Sequence, residues 1–229
     1  MAHIAPVRYS ETHRLIPTKH ASGGSVLETL NLPANVLSDL SELDASTNER
    51  KQAERGGNPA LGPGELLQGV PEANIVNASF AHPGPFGGRF NDHNRGAWDA
   101  GVELTTAQHE VAYHKIRFLE ESRIPGSIAF EYQDFLADFA GGFHHLDALE
   151  IQACLQPDPI PACYGPGQSL ARTLLFSGSL GIIYPGVRKP GGTCVACFRP
   201  ALVLQPRRGS IYQITVSAGA TWDESVVEL

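Results

Sequence analysis

One carboxylate in a helical stretch is the first side chain whose surroundings could support chemistry. Along residues 107–121 a helical step places Ala107, Glu110, Val111, His114, Arg117 and Phe118 on one face. Ala112, Ile116 and Leu119 fall on the opposite side. A helix that is apolar on two sides is packed on both. Glu110 then stands beside buried apolar residues, with His114 one turn away. Two roles are open to it. It is either a surface carboxylate paired with His114 or Arg117, or a carboxylate on a pocket wall, its pKa set by desolvation and a neighbouring cation. His109-Glu110 with His114 has the residue types of a zinc-protease helix but not its geometry. Histidines five apart diverge by about 140°, so they cannot share a metal.

Two glycine-rich stretches carry arginines. Gly87-Gly88-Arg89-Phe90-Asn91 allows a tight turn and a close backbone approach to a ligand. The planar fork of Arg89 matches a diphosphate, although most Gly-Gly-Arg sequences are ordinary loops. Residues 186–192, Gly-Val-Arg-Lys-Pro-Gly-Gly, follow a short strand pattern and hold Arg188 and Lys189. They form either a basic hairpin loop or a second anion contact. Cys194 and Cys197 form a C-x-x-C inside an apolar strand pattern, where residues three apart face opposite ways. Cys154 and Cys163, with prolines between them, do not complete a zinc set, so all four cysteines are expected to be buried free thiols. His144-His145 are adjacent and therefore diverge, which makes them loop or strand-edge histidines.

The elements that must position these residues follow from periodicity and breakers. Helical spacing runs through residues 26–32 and 35–43 and continues as a polar helix over 44–55, ended by Asn58-Pro59 and Gly62-Pro63-Gly64. Residues 75–80 read as a short strand, 82–94 as irregular, and 97–103 as a strand. Thr105 or Thr106 is the expected N-cap of the 107–121 helix. Residues 128–135 read as a strand, 149–155 as extended, and 167–176 as a helix stopped at Gly178. Strands are expected at 182–184, 194–198 and 210–216. The mixture lacks a regular βαβ repeat, so the class is α+β, an irregular α/β.

Composition limits the function classes. The chain has 229 residues, 42% hydrophobic and 18% charged, enough for one large core without disulfides. A net charge of −7 gives no general affinity for nucleic acid. No apolar run approaches the roughly 20 residues of a membrane span, and residues 1–10 lack the apolar core of a signal peptide. The expected location is cytoplasmic.

Taken in order, several stretches resemble the RES family. They are His13-Arg14-Leu15-Ile16-Pro17, then residues 47–55, 80–91, 96–118, 179–188 and 191–200. The resemblance covers most of the chain and implies a single RES domain over residues 1–229, with residues 1–70 a mostly helical segment packed on it. It implies an ADP-ribosyltransferase-like fold, with a central split, twisted mixed β-sheet flanked by helices. The family is named for an Arg, a Glu and a Ser. Arg89 matches the first and Glu110 the second, while the serine position, in the turn Tyr184-Pro185-Gly186, is a glycine. A family tyrosine eleven residues before the glutamate is replaced by Asp99, next to Trp98.

The activity implied is that of a toxin cleaving NAD by hydrolysis or phosphorolysis, with NAD as substrate and no metal. In that reading Glu110 and Arg89 are catalytic. Arg89, Trp98, Asp99, Tyr184, Gly186 and Arg188 line the NAD site, with Trp98 stacking on a ring and Arg188 helping with phosphate. The partners implied are an Xre-type antitoxin and a second copy of the chain. Alternatives are mono-ADP-ribosylation of a protein, or a degenerate domain that binds antitoxin or nucleotide without turnover.

Overall fold

Alternating apolar residues build the two longest strands. The computed structural model describes residues 3–21, 33, 36, 60–217 and 221–227. Its elements are β1 (His3–Pro17), α1 (Thr18–Ala21), α2 (Ala73–Ala81), β2 (Trp98–Gly101), α3 (Leu104–Ser122), β3 (Ser127–His145), α4 (Ala148–Cys154), α5 (Gly165–Phe176), β4 (Gly181–Pro185), β5 (Thr193–Cys197), β6 (Leu204–Ser217) and β7 (Thr221–Val227). In β3, Ile128, Phe130 and Tyr132 turn to one side, while Phe135, Ala137, Phe139 and Phe143 turn to the other. Its two faces therefore feed two different cores, as a period of two residues requires.

The seven strands pair in the order β1-β2-β5-β4-β3-β6-β7, with a further pairing of β1 to β3. The last contact closes a ring, because β1, β2, β5, β4 and β3 then each touch two others. The β1–β3 pairing is antiparallel from His3 opposite His145 to Pro17 opposite Tyr132, with a bulge between Tyr9 and Thr12 where Glu11 has φ 60. The β3–β4 pairing is parallel and the rest are antiparallel, so the sheet is mixed. It is flanked by helices, as expected of the class.

Three clusters hold the layers together. All five ring strands and α2 contribute to the first, around Phe80, Trp98, Phe135, Phe139, Phe143 and Val195. The second joins α4 and α5 to the other faces of β4 and β5 through Phe90, Cys154, Leu174, Ile182, Tyr184 and Cys194. The third seats α3 on β1, β3 and β6 through Leu15, Ala112, Leu119, Tyr132 and Ile214. Each Leu, Ile, Val or Phe among them contributes about 1.5–3 kcal/mol by leaving water. The four cysteines are free and buried, and Cys194 and Cys197 do point to different clusters.

Several local expectations change. Residues 75–80 are helix, not strand: Ile75, Val76 and Phe80 are buried in α2, and Asn77 bonds Leu67 N and O, both at 2.9 Å. A short apolar run cannot distinguish the two by period alone. Residues 149–155 are also helical. Asp147 caps α4 and Glu150 reciprocates, a capping box that outweighs the extended look of the stretch. The N-cap of α3 is Glu103 rather than Thr105 or Thr106. His3–Pro17 is a strand within the segment expected to be mostly helical. The helices expected over 26–32, 35–43 and 44–55 lie outside the described residues, apart from Val36. Among the described residues no helix is long and apolar enough to cross a membrane.

Candidate active site

The start of α3 is fixed by a small polar knot. Glu103 Oε2 accepts from Thr106 Oγ1 at 2.6 Å and from Thr193 N at 3.0 Å, which ties the helix to β5. Thr106 is fully buried, and glycines make room for it. A Cβ on Gly192 would collide with Thr106 Oγ1, and one on Gly101 would stand 2.7 Å from Ala107 N. The anchored helix carries Glu110 to the β4–β5 hairpin, where its Oε1 accepts from Arg188 N at 3.3 Å. The buried face of α3 is formed by Thr106, Ala107, Gln108, Ala112 and Leu119. Glu110 is half-buried at its edge, and His114 is exposed. Arg117 pairs with Glu120 and Glu121 instead of Glu110.

Arg89 arrives from the turn that its glycines predict. Gly87 has φ +67, with Asn91 O and Asp92 packed where a Cβ would be, and Gly88 N donates to Asn91 O at 2.9 Å. Gly167 of α5 lies too close to Arg89 O to carry a side chain. The guanidinium lies over the Tyr164 ring at 5.2 Å, and Nη1 donates to the carbonyls of Cys154 and Gln156 at 2.8 and 2.9 Å.

Arg188 is held at the other side of the same 154–158 segment. Its Nη2 donates to Pro157 O at 2.5 Å, its Nη1 is 3.8 Å from Asp158 Oδ2, and its plane covers the Tyr113 ring at 3.4 Å. Tyr113 Oη donates to Asp158 Oδ1 at 2.6 Å. Two arginines thus grip one stretch of main chain, residues 154–157.

Asp99 and Tyr184 complete the group. Asp99 Oδ2 is 3.9 Å from Arg14 Nη1, and Arg14 also donates to Asp99 O at 2.9 Å. Burial, with the Glu110 charge adding to it and Arg14 opposing, lifts the Asp99 pKa to about 6. Its side chain is nevertheless 43% accessible. The Glu110 carboxyl is also raised, chiefly by burial. The Arg188 N–H and the charges of Arg188 and Arg89 pull it back. Burial pushes the Tyr184 hydroxyl far up, with Cys194, Asp99 and Glu110 adding to it. Strand register places Asp99 and Tyr184 together: Asp99 lies opposite Ala196 and Tyr184 opposite Cys194, on the face of β5 that those two residues share.

Glu110, Arg89, Asp99, Tyr184 and Arg188 therefore come together, and Gly186 lies beside them in the hairpin, with N bonded to Gly192 O at 2.9 Å. Trp98 does not join them. It is fully buried in the ring-strand core, with Arg14 over its ring at 5.0 Å, so its neighbour Asp99 is the residue of β2 on the face of Cys194 and Tyr184. Arg14, Tyr113, Asp158 and Tyr164 were not marked by the sequence as site residues. Arg14 had a signal, since His13-Arg14 lies in the first matched stretch. Tyr113 had one in its position three residues beyond Glu110. Among the described residues, no three His, Cys, Asp or Glu side chains are grouped as metal ligands.

A model of the RES domain family matches residues 67–217. No curated protein matches the chain. Among solved structures, the M. tuberculosis MbcT–MbcA toxin–antitoxin complex is similar at 14% identity and a TM-score of 0.37, covering 58% of this chain and 73% of that one.

Proposed function

The chain belongs to the RES domain family, and we propose that it is a toxin enzyme that breaks the nicotinamide–ribose bond of NAD. The observation that carries this reading is the setting of Glu110. Its carboxyl is half-buried, hydrogen-bonded by a main-chain N–H, and flanked by Arg89 and Arg188. Cleavage of that bond builds oxocarbenium-like positive charge on the ribose. A fixed carboxylate beside the ring stabilises the charge without reorganising, and can accept a ribose hydroxyl proton in a hydrogen bond. The N–H groups of Arg89 beyond Nη1 have no partner among the described residues and are the natural fork for the NAD diphosphate. Arg188 orders the hairpin that holds Glu110, and adds positive charge toward the phosphates.

The toxin role, an Xre-type antitoxin that covers the NAD entrance, a dimer of this chain and a cytoplasmic location belong to the same proposal and rest on the family. A second reading, binding without turnover, is favoured by one observation: Gly186 leaves the hairpin without the family hydroxyl. Incubation of the purified chain with NAD, beside a Glu110→Gln variant, separates the two. Nicotinamide release by the unaltered chain alone supports the enzyme. Binding without release over long incubation refutes it.

A further inference from the structure

Resting on the NAD reading above, we propose that Tyr113 and Asp158 are positioning residues: they clamp the Arg188 side chain so that its main-chain N–H keeps Glu110 aimed at the ribose. Arg188 is held at both its ends. Its N donates to Glu110 Oε1 at 3.3 Å, and its guanidinium lies on the Tyr113 ring with Cζ 3.4 Å from the centroid. Glu110 and Tyr113 stand three residues apart on α3, which makes them neighbours on the helix surface. Asp158 closes the circuit. Its Oδ1 accepts from Tyr113 Oη at 2.6 Å, and its Oδ2 stands 3.8 Å from Arg188 Nη1.

The guanidinium depends on this clamp because other groups serve it poorly. Only 8% of the Arg188 side chain is accessible, and Nε is buried with no hydrogen-bond partner among the described residues. Pro157 O accepts from Nη2, but a neutral carbonyl does not cancel a buried charge. The Asp158 carboxylate and the π face of Tyr113 do so, and the Tyr113 hydroxyl fixes that carboxylate in turn. Without them the side chain is better solvated by turning out to water, and the hairpin main chain is freed to follow it. The hairpin's own bonds, Gly186 N to Gly192 O and Gly192 N to Lys189 O, do not involve residue 188. His109 adds a hold on the Arg188 main chain from α3.

Glu110 registers the state of the clamp. The Arg188 N–H opposes the burial that raises the Glu110 carboxyl, as do the charges of Arg188 and Arg89. Asp99 on β2, Tyr184 on β4, Cys194 on β5 and Tyr164 just before α5 are the other titratable groups that act on Glu110 or feel it. Tyr113 and Asp158 act through Arg188. Their loss therefore reaches the reaction as a change in the aim and proton affinity of Glu110, not as a lost substrate contact.

The test compares the unaltered chain with Asp158→Asn and Tyr113→Phe, which keep the shape of each side chain. Nicotinamide release is measured against NAD concentration across about pH 5 to 8, and exchange of the Arg188 amide proton is followed by NMR. In Asp158→Asn, kcat falls about tenfold, the cost of one hydrogen bond to a charged group. KM for NAD moves by less than about threefold. Tyr113→Phe, which keeps the ring under the guanidinium, falls between the two. In both variants the acid limb of kcat moves to higher pH, since Glu110 loses the N–H that favoured its carboxylate, and the Arg188 amide exchanges faster. General damage to the fold would lower the active fraction without moving that limb. Unchanged kcat, acid limb and amide exchange overturn the clamp while the NAD reading stands. A rise in KM at constant kcat also overturns it, because Arg188 would then serve the substrate rather than Glu110. If the unaltered chain releases no nicotinamide, the NAD reading falls, and the amide exchange alone decides whether the clamp holds that N–H. Either variant answers the question if the other does not fold.

Discussion

Replacing Glu110 by Gln tests whether the carboxylate acts through its charge. Gln keeps the shape and can still accept from Arg188 N, which bonds Oε1 at 3.3 Å, so the hairpin should stay in place. What is lost is one negative charge beside the developing ribose cation. At a separation of about 4 Å and an effective dielectric constant of about 20, that attraction amounts to about 4 kcal/mol. This corresponds to about a thousandfold in rate. Stability should move the other way. Burial raises the Glu110 pKa, so the fold favours the protonated carboxyl, and stability present at low pH is lost as pH rises through the folded pKa. A neutral Gln removes that loss, and at pH 7.5 its melting temperature should equal or exceed that of the unaltered chain. The assays are nicotinamide release under saturating NAD and thermal unfolding at pH 5 and 7.5. A variant within tenfold of the original rate would refute the charge argument. A clear drop in melting temperature at pH 7.5 would refute the burial argument.

Other outcomes follow from the same geometry. Gly186→Ser places a Cβ 3.1 Å from Lys189 O and 3.2 Å from Thr106 Cγ2, so a loss of about 1 kcal/mol is expected in urea unfolding. Asp147→Ala removes the caps to Leu149 N and Glu150 N, each at 2.9 Å. It should cost about 1 kcal/mol, and an unchanged midpoint would show that α4 is held by packing alone. Asp99→Asn should raise the melting temperature at pH 8 and leave it nearly unchanged at pH 4. The reason is that the folded carboxyl titrates near 6, above its ordinary value of 3.8, so its ionisation works against the fold as pH rises through that interval.

The parts of the fold legible in the sequence are those with one strong local signal. The 107–121 helix, the 167–176 helix with its stop near Gly178, and the strands expected at 182–184, 194–198 and 210–216 all overlap the elements found there, to within a few residues at the ends. Errors arose where two signals competed. Residues 75–80 carry β-branched Ile75 and Val76 yet form α2, because tertiary burial overrides a weak propensity. Residues 149–155 held a readable capping box at Asp147 and Glu150, but the apolar content of the stretch masked it. Strand β1 alternates over Ala5 to Ser10 but loses the pattern at the Tyr9/Thr12 bulge, and its partner β3 is far away in sequence. In the site, residue type and spacing left Glu110 and Arg89 as candidates among ordinary alternatives, and the resemblance to the RES family singled them out. The grip of Arg89 and Arg188 on the carbonyls of residues 154–157 was not legible, because main-chain acceptors leave no mark on residue identity. Trp98 was placed by its adjacency to Asp99, and strand alternation sends the two in opposite directions.

The closing contact of the strand ring bears on how the chain can be made and cut. His3 pairs with His145 and Pro17 with Tyr132, so this strand leaves the ribosome well before the residues it pairs with and must wait for them. Such non-local pairing slows folding and leaves an unpaired strand exposed to other nascent chains. It also sets where the protein tolerates truncation. A fragment trimmed to the family-matched residues 67–217 would lose β1, open the ring along β3, and bare the Phe135–Phe143 face that the strand helps to cover. Expression of that fragment should give aggregate, whereas the same fragment supplied with a separate peptide of residues 3–17 has the missing strand available to complete it.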